Sequence, residues 1–195
     1  MQDSSKVDFW DQRYREGVTP WEGARWPSPA QRFFERLPTS RLLLPGCGSA
    51  ADLAPLRALG HQVLAVDFSG EAIAAARRQW PAFEDCLMQA DFFALRLPPV
   101  DVVLERAFLC ALPPAMRGDY ARQVAALVRP GGFLAGFFFL ADKPKGPPFG
   151  IARGELEALL QADFELQDCR HVADSLPIFQ RQEYWMQWRR REGAS

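Results

Sequence analysis

An apolar run that ends in a glycine-rich turn is the feature that most constrains this chain. The run at 42–44 leads through Pro45 into Gly46, Cys47 and Gly48, ahead of a segment that is compatible with a helix. This order is typical of a buried parallel strand followed by a turn on which a ligand lies against the backbone, because glycine has no Cβ to obstruct it. Asp67 ends the next apolar run, where a carboxylate is placed to accept hydrogen bonds from ribose hydroxyls. The turn and the carboxylate together predict a nucleoside cofactor.

From Arg41 onward, segments with strand and helix patterns alternate, which predicts an α/β fold. We expect a Rossmann-like, mostly parallel sheet with helices on both faces and ligands at the carboxyl ends of its strands. The last two strands have no helix between them, so they predict an antiparallel hairpin at one edge. Ser69 is predicted to cap a helix, Gly60 to close one, and 130–132 to form a turn. Strands are predicted at 42–44, 62–66, 84–89, 101–104, 133–140, 164–171 and 182–188, and helices at 50–59, 69–79, 113–128 and 153–161.

The first forty residues differ from the rest, and we call them the N-terminal cap. Helices are predicted at 4–16 and 30–37, with a loop between them because prolines and a glycine interrupt 17–29. Aromatic residues are frequent in this loop-rich segment, so it is predicted to cover another part of the molecule. They are Phe9, Trp10, Tyr14, Trp21, Trp26, Phe33 and Phe34.

Length and composition set limits on the function. At 195 residues the chain is expected to form one domain, with 1–40 as the cap segment and 41–195 as the core. Its 23 basic and 24 acidic residues balance, which argues against a nucleic-acid partner. No window approaches 18 apolar residues and no apolar leader begins the chain, so neither a membrane partner nor secretion is expected. The four cysteines form no C-x-x-C pair, which predicts no metal site and favours a reducing cytoplasm.

Two classes of nucleoside cofactor remain open on this pattern. Gly46-x-Gly48-x-x-Ala51 with Asp67 formally satisfies the fingerprint of a dinucleotide such as NAD. The chain is short for an oxidoreductase of this architecture, however, which usually has further strands or a second lobe. The corner at 90–93, Ala-Asp-Phe-Phe, suits an adenine ring held by its amino group and its face.

Four longer strings match a known family: residues 16–21, 44–48, 105–113 and 146–149. On these strings the chain resembles the thiopurine S-methyltransferase superfamily, which includes the plant halide/thiol methyltransferases. The resemblance extends from about Phe9 to Trp188. It implies a class I methyltransferase with a seven-stranded sheet and an antiparallel last strand. It also implies S-adenosylmethionine as donor, S-adenosylhomocysteine as product, and a small thiol or other soft nucleophile as acceptor (thiopurine, aryl thiol, sulfide, a selenium or tellurium species, or halide).

The resemblance and the pattern together assign roles to particular residues. Arg106 is assigned a catalytic role, since an arginine there neutralises the donor carboxylate or an anionic acceptor, and Asp142 is a weaker candidate to accept a proton through water. The acceptor is expected to contact Trp26, Phe108, Phe138, Pro148 and Phe149. The cofactor is expected to contact Trp10, Trp21, Pro45, Gly46, Cys47, Gly48, Asp67, Phe68, Ser69, Asp91, Phe92, Phe93, Glu105 and Arg106.

Each assignment has a structural alternative. Asp67 alternatively complements the dipole of the helix that Ser69 caps, and Asp91 terminates a strand as a turn residue. Arg106 alternatively forms a salt bridge with Glu105 or Asp101. The tryptophans alternatively cover only the open end of the sheet.

The acceptor itself stays open on the sequence. Residues 16–21 are more similar to the halide/thiol branch, whereas Glu105-Arg106 is closer to the thiopurine branch. We expect a monomeric, cytoplasmic enzyme that acts on a small molecule. The alternatives are a non-catalytic module that binds S-adenosylmethionine or S-adenosylhomocysteine and, less favoured, a small NAD-dependent oxidoreductase.

Overall fold

A seven-stranded sheet forms the centre of the molecule, in a computed structural model that describes residues 3–22 and 28–193. The strand order is β3-β2-β1-β4-β5-β7-β6, and β7 runs antiparallel to both of its neighbours while the other strands are parallel. The predicted architecture, including the antiparallel last strand, is confirmed. The strands are β1 Arg41–Pro45, β2 Gln62–Asp67, β3 Leu87–Gln89, β4 Val100–Arg106, β5 Val128–Phe139, β6 Phe164–His171 and β7 Glu183–Arg190.

Helices pack on both faces of this sheet because side chains alternate along each strand. In β1, Leu43 belongs to the core beneath α5 and α6, whereas Leu42 and Leu44 belong to the core on the opposite face, with α2, α3 and α4. The α-helices in the described residues are α1 Val7–Glu16, α2 Ser28–Arg36, α3 Leu53–Ala58, α4 Gly70–Gln79, α5 Arg117–Leu127 and α6 Arg153–Leu160. Within these residues no helix combines the length and the apolar character that a membrane span requires.

The parallel strands end together at one edge of the sheet. Pro45 of β1 pairs with Val66 of β2, and Asp67 pairs with Gln89 of β3. The turns after β1, β2 and β3 therefore lie side by side at this edge, with the turn after β4 next to them. Ligand sites of open α/β sheets lie at such an edge.

Two predicted helices begin later than expected, for backbone reasons. The segment at 50–59 becomes helical only at Leu53, because Ala50 has a left-handed φ of +55° that a helix interior does not accommodate. Gly60 lies just beyond the end of this helix with a φ of +85°. The helix predicted at 113–128 starts with extended Pro113 and a 3₁₀ turn at Pro114–Met116, and α5 proper begins at Arg117.

Three further features differ from the prediction. The strand predicted at 84–89 is only three residues long, because the 3₁₀ segment Pro81–Cys86 occupies its first half. The turn predicted at 130–132 lies inside β5, where the register with β4 shifts between Val100 and Val102. Of the N-terminal cap, α2 belongs to the core: Phe33 and Phe34 pack against Trp185 rather than over a binding site.

Candidate functional site

A cavity of about 290 Å³ opens at the carboxyl ends of β1, β2 and β4, beneath α1. Small-molecule sites typically occupy ~300–1,000 Å³, so this cavity has the size of a ligand pocket. Its described wall carries four carboxylates (Glu22, Asp52, Asp67 and Asp91) and two arginines (Arg13 and Arg106). The cavity therefore has an excess of acidic groups.

The glycine turn is packed so closely that neither of its glycines has room for a side chain. A Cβ at Gly46 would lie 2.2 Å from Cδ2 of Phe108, and a Cβ at Gly48 would lie 2.3 Å from Oη of Tyr14. Both glycines have left-handed φ angles, +57° and +55°. The backbone N–H of Cys47 donates to the carbonyl of Val66, which fixes the turn against β2. The turn thus requires glycine for both conformation and space.

Asp67 is buried at the end of β2 and held by two backbone hydrogen bonds. Gly48 N–H donates to Oδ2 at 3.0 Å and Ser69 N–H donates to Oδ1 at 2.9 Å. Burial raises the pKa of Asp67 to about 6; the two hydrogen bonds lower it, and the nearby Asp11 and Glu22 raise it further. The carboxyl group is therefore oriented in advance but costly to ionise, and a positively charged ligand in the cavity favours its ionised form.

Hydrogen bonds to two carboxylates hold α1 and the loop after it against the edge of the sheet that carries the cavity. Glu22 Oε1 accepts hydrogen bonds from Tyr14 O–H and from the backbone N–H of Ser49, both at 2.9 Å. Asp11 Oδ1 accepts a hydrogen bond from Ser69 O–H at 2.6 Å and a weaker one from Glu71 N–H at 3.3 Å. These bonds place α1 and the residues on either side of it (3–22), which we call the N-terminal segment, across the cavity.

Two indole rings from this segment face the cavity. Trp10 and Trp21 pack edge to face, with ring centroids 5.5 Å apart. Trp10 Nε1–H donates to the carbonyl of Ser4 at 2.8 Å, and Trp21 Nε1–H makes a long contact of 3.4 Å with Tyr14 Oη. The indole N–H groups are thus engaged within the N-terminal segment.

The corner after β3 brings the acidic and aromatic residues predicted to contact the adenine to the cavity wall. Asp91 is exposed, lines the cavity, and accepts a hydrogen bond from Phe93 N–H at 2.9 Å, so it caps the 3₁₀ turn Phe92–Ala94. Phe92 is buried against Phe108, with centroids 5.1 Å apart. Phe68, half-buried after β2, lines the same part of the wall.

Arg106, the last residue of β4, is paired with an acid that the sequence did not suggest. Its Nη1 lies 2.8 Å from Oδ1 of Asp52, and its guanidinium lies over the ring of Phe137 at 5.0 Å from the centroid. Both charged side chains line the cavity. The salt bridge that sequence reasoning held open, with Glu105 or Asp101, is therefore formed with Asp52 instead. Asp101 pairs with Arg129.

Glu105 faces away from the cavity and stabilises the loop after β4. Its Oε1 accepts hydrogen bonds from the backbone N–H groups of Phe108 and Leu109 at 2.8 and 2.9 Å, and its Oε2 accepts one from Tyr120 O–H at 2.7 Å. Burial raises the pKa of Glu105 to about 7, against the lowering effect of these hydrogen bonds. This arrangement positions Phe108, which packs on the glycine turn.

The comparisons with known proteins agree with this geometry. The family model of thiopurine S-methyltransferase (TPMT) matches residues 5–192. The chain belongs to the thiopurine S-methyltransferase family. It is 31% identical to a thiopurine S-methyltransferase of Xanthomonas campestris, over 89% of this chain and 91% of that protein. It is 27% identical to a probable thiol methyltransferase 2 of Arabidopsis thaliana, over 77% of this chain and 70% of that protein.

A solved structure resembles the fold of this family member. The 1,6-didemethyltoxoflavin-N1-methyltransferase of Burkholderia thailandensis, crystallised with S-adenosylhomocysteine, aligns with a TM-score of 0.75 and 22% identity, over 95% of this chain and 87% of that one. Membership in the thiopurine S-methyltransferase family makes the chain an S-adenosylmethionine-dependent methyltransferase. The predicted enzyme class and cofactor are confirmed.

Most of the residues predicted to form the site of this thiopurine S-methyltransferase family member do line the cavity. Those predicted to contact the cofactor are Trp10, Trp21, Pro45, Gly46, Cys47, Gly48, Asp67, Phe68, Asp91, Phe92, Phe93 and Arg106, and those predicted to contact the acceptor are Phe108 and Pro148. Trp26 lies outside the described residues. The structure thus brings most of the predicted residues together around one cavity, and the role of each residue stays a prediction.

The structure does not bring five predicted residues to the cavity wall. Ser69 uses its hydroxyl to cap α4, accepting from Ala72 N–H at 3.1 Å, and Glu105 is held beneath the loop as described. Phe138 points into the core beneath α5 and α6, because side chains alternate along β5. Asp142 is exposed after β5, and Phe149 lies behind the turn at 109–111, where its N–H donates to the carbonyl of Cys110.

Several residues on the cavity wall were missed by sequence reasoning. Tyr14 and Glu22 reach the glycine turn only through the docking of α1, which no local pattern encodes. Ile178 and Phe179 come from the loop between β6 and β7, and the unusual run of apolar residues in that loop was a usable signal. The missed residues that matter below are Tyr14, Glu22, Asp52, Cys110, Ile178 and Phe179.

Proposed function

We propose that this enzyme transfers the methyl group of S-adenosylmethionine to a small thiol inside the cavity. The observation that carries the proposal is the buried carboxylate of Asp67 beside a glycine turn that has no room for side chains. Chemical complementarity assigns the ribose to Asp67 and the methionine part to the turn at 45–48. The adenine is assigned to the corner formed by Phe68 and Asp91.

The walls of the cavity suit a positively charged donor. Trp10 and Trp21 present aromatic rings, and an aromatic face attracts a cation by about 0.5–2 kcal/mol. The excess of carboxylates on the wall adds attraction for the same charge. When bound, the donor supplies an electrophilic methyl group on a sulfonium sulfur.

The acceptor is assigned to the apolar end of the cavity, which we call the acceptor chamber: Trp21, Ala107, Cys110, Ile178 and Phe179. These residues line the cavity and also pack together in a small hydrophobic cluster. In the transfer, the thiol sulfur forms a bond to the methyl carbon, the bond from that carbon to the donor sulfur breaks, and the thiol proton is released to solvent. An apolar chamber favours this step because the charge of the sulfonium is lost as the bond breaks. The donor and the acceptor share a cavity of about 290 Å³, which favours a compact acceptor.

The chain contributes mainly by positioning the two reactants. Orientation of reactants supplies roughly 7–11 kcal/mol, whereas a general base supplies about 10²–10⁴-fold. Asp142, proposed from the sequence as a proton acceptor, is exposed away from the cavity wall, and we therefore assign it no role. Cys47 and Cys110 line the cavity, and burial raises the pKa of both thiols well above the ordinary value, which keeps them protonated and poorly nucleophilic.

We also propose that the enzyme acts as a cytoplasmic monomer on free small molecules. The four cysteines are free thiols, as expected in a reducing compartment. The balanced charge of the chain supports a small-molecule partner rather than nucleic acid.

Calorimetry with S-adenosylmethionine and S-adenosylhomocysteine tests the donor assignment. We expect Asp67→Ala to weaken both ligands at least tenfold, because the variant removes the ribose acceptor, while Asp119→Ala, at an exposed acid of α5, leaves binding unchanged. Unchanged affinity in Asp67→Ala would contradict the assignment. Circular dichroism first establishes that both variants are folded.

A thiol panel then tests the transfer. Benzyl mercaptan, 6-mercaptopurine and sulfide are incubated with the donor, and the methyl thioether is measured by mass spectrometry. Tight binding of S-adenosylhomocysteine without turnover of any thiol would contradict the proposed transfer to a thiol.

A further inference from the structure

Two basic side chains of the described residues lie near the acceptor chamber: Arg106, whose charge is already paired, and Lys143, whose ammonium group donates to the carbonyl of Pro148 at 2.8 Å. Arg106 immediately precedes Ala107 of the chamber, and its guanidinium is paired with Asp52 at 2.8 Å. Only 19% of the Arg106 side chain and 10% of the Asp52 side chain are exposed, so water screens this pair weakly. The other described arginine on the cavity wall, Arg13, lies over the ring of Phe9 at 3.8 Å, on α1.

The side chain of Asp52 does not cap the helix that follows it. It occupies the N-cap position of α3, yet its side chain makes no capping hydrogen bond there. Its carboxylate is instead committed to Arg106, which lies 54 residues away in sequence. Asp52 is itself buried, at 7% exposure, and lines the cavity.

A second acid lies in the field of Arg106. Glu183, at the start of β7, has its pKa raised by burial; the positive charge of Arg106 lowers it, and Asp174 raises it. Arg106 is therefore bonded directly to one carboxylate and interacts at longer range with a second acid. Arg106 itself keeps no surplus positive charge for a third anion.

We propose that Asp52 makes the acceptor chamber selective for uncharged thiols over small anions. This inference rests on the proposed function, because it concerns the acceptor of the same reaction. A small anion must displace Asp52 from Arg106 and leave a buried carboxylate without its partner, which is strongly unfavourable. An uncharged thiol occupies the apolar chamber with the ion pair intact.

Equilibrium binding tests this selectivity without any need for turnover. Sodium thiocyanate is titrated calorimetrically into wild type and Asp52→Asn, each saturated with S-adenosylhomocysteine. We expect the dissociation constant of thiocyanate to fall at least tenfold in Asp52→Asn, because Arg106 then has a free positive charge. Glu155→Gln removes the acidic partner of buried Arg117, a pair that does not line the cavity; it is the matched control and should bind thiocyanate like wild type.

A pair of similar acceptors extends the test to the reaction. Benzyl mercaptan is uncharged near pH 7, whereas thiobenzoate is an anion of similar size. We expect wild type to prefer benzyl mercaptan in kcat/KM, and Asp52→Asn to shift the ratio toward thiobenzoate at least tenfold. If wild type binds thiocyanate as tightly as Asp52→Asn, or prefers thiobenzoate, the inference is overturned.

The two proposals fail in different ways. If no thiol is methylated but thiocyanate still binds Asp52→Asn selectively, the proposed function fails and the charge assignment stands. If Asp52→Asn does not fold, the selectivity is tested on wild type alone, by competition between benzyl mercaptan and thiobenzoate for binding to its complex with S-adenosylhomocysteine. In that case, tighter binding of thiobenzoate overturns the inference.

Discussion

Replacing Gly48 by alanine tests whether the N-terminal segment and the glycine turn form one binding unit. The new Cβ would lie 2.3 Å from Tyr14 Oη and 3.0 Å from Glu22 Oε1, so Tyr14 must move by about 1 Å to reach ordinary contact. This movement breaks the hydrogen bond that Tyr14 donates to Glu22 at 2.9 Å. Alanine at a φ of +55° adds backbone strain.

The magnitude follows from these two contributions. Left-handed strain costs roughly 1–2 kcal/mol, and a hydrogen bond to a charged group contributes about 1.5–3 kcal/mol. We expect Gly48→Ala to lower the free energy of unfolding by about 3 kcal/mol, measured by urea denaturation. We also expect it to weaken S-adenosylhomocysteine at least tenfold by calorimetry, or about 1.4 kcal/mol.

Gly17→Ala is the matched control. Gly17 ends α1 with a φ of +67°, and a Cβ there meets nothing within 4 Å. We expect this variant to lose about 1–2 kcal/mol of stability through strain alone, with ligand affinity unchanged. Equal effects of the two variants on affinity would refute the reasoning, because the clash with Tyr14 would then have no consequence for binding.

Two further predictions concern Glu105 and Asp11, whose hydrogen bonds hold elements around the cavity in position. Burial raises the pKa of Glu105 from 4.5 to about 7, so the native state binds this proton more tightly than the unfolded state and its stability falls as pH rises between those values. Glu105→Gln keeps an acceptor for Phe108 N–H, and we expect it to remove this decline, which amounts to up to about 3 kcal/mol between pH 5 and pH 8. The free energy of unfolding is measured at both pH values for the variant and for wild type. An unchanged decline in the variant would contradict the prediction. Asp11→Ala should cost about 1–2 kcal/mol and speed hydrogen exchange of α1, whereas exposed Asp8→Ala should do neither. Similar exchange in these two aspartate variants would mean that Asp11 does not fasten the helix.

The features that sequence reasoning predicted well are those encoded locally. The alternation of Leu42, Leu43 and Leu44 between two cores follows from strand geometry. Ser69 caps α4 as predicted, because an N-cap requires only the residue and the helix that follows it. Asp67 reaches the cavity because it ends a strand of a parallel sheet, whose edge is fixed by topology.

What the sequence did not reveal depends on tertiary contacts. The Arg106–Asp52 pair joins two turns that only the strand order brings together, whereas the sequence offered the nearer Glu105 and Asp101. The resemblance of Glu105-Arg106 to the thiopurine branch predicts Glu105 at the cofactor, yet successive residues of a strand face opposite ways, and Glu105 accepts a hydrogen bond from Tyr120 instead. The same alternation removes Phe138 from the cavity.

A crystal structure with bound S-adenosylhomocysteine tests the central claim most directly. We expect ribose hydroxyls within about 3.2 Å of the Asp67 carboxylate and the adenine between Phe68 and Asp91. We also expect Trp10 and Trp21 to lie over the sulfur end of the ligand. A ligand bound elsewhere, or with its ribose turned away from Asp67, would contradict the account.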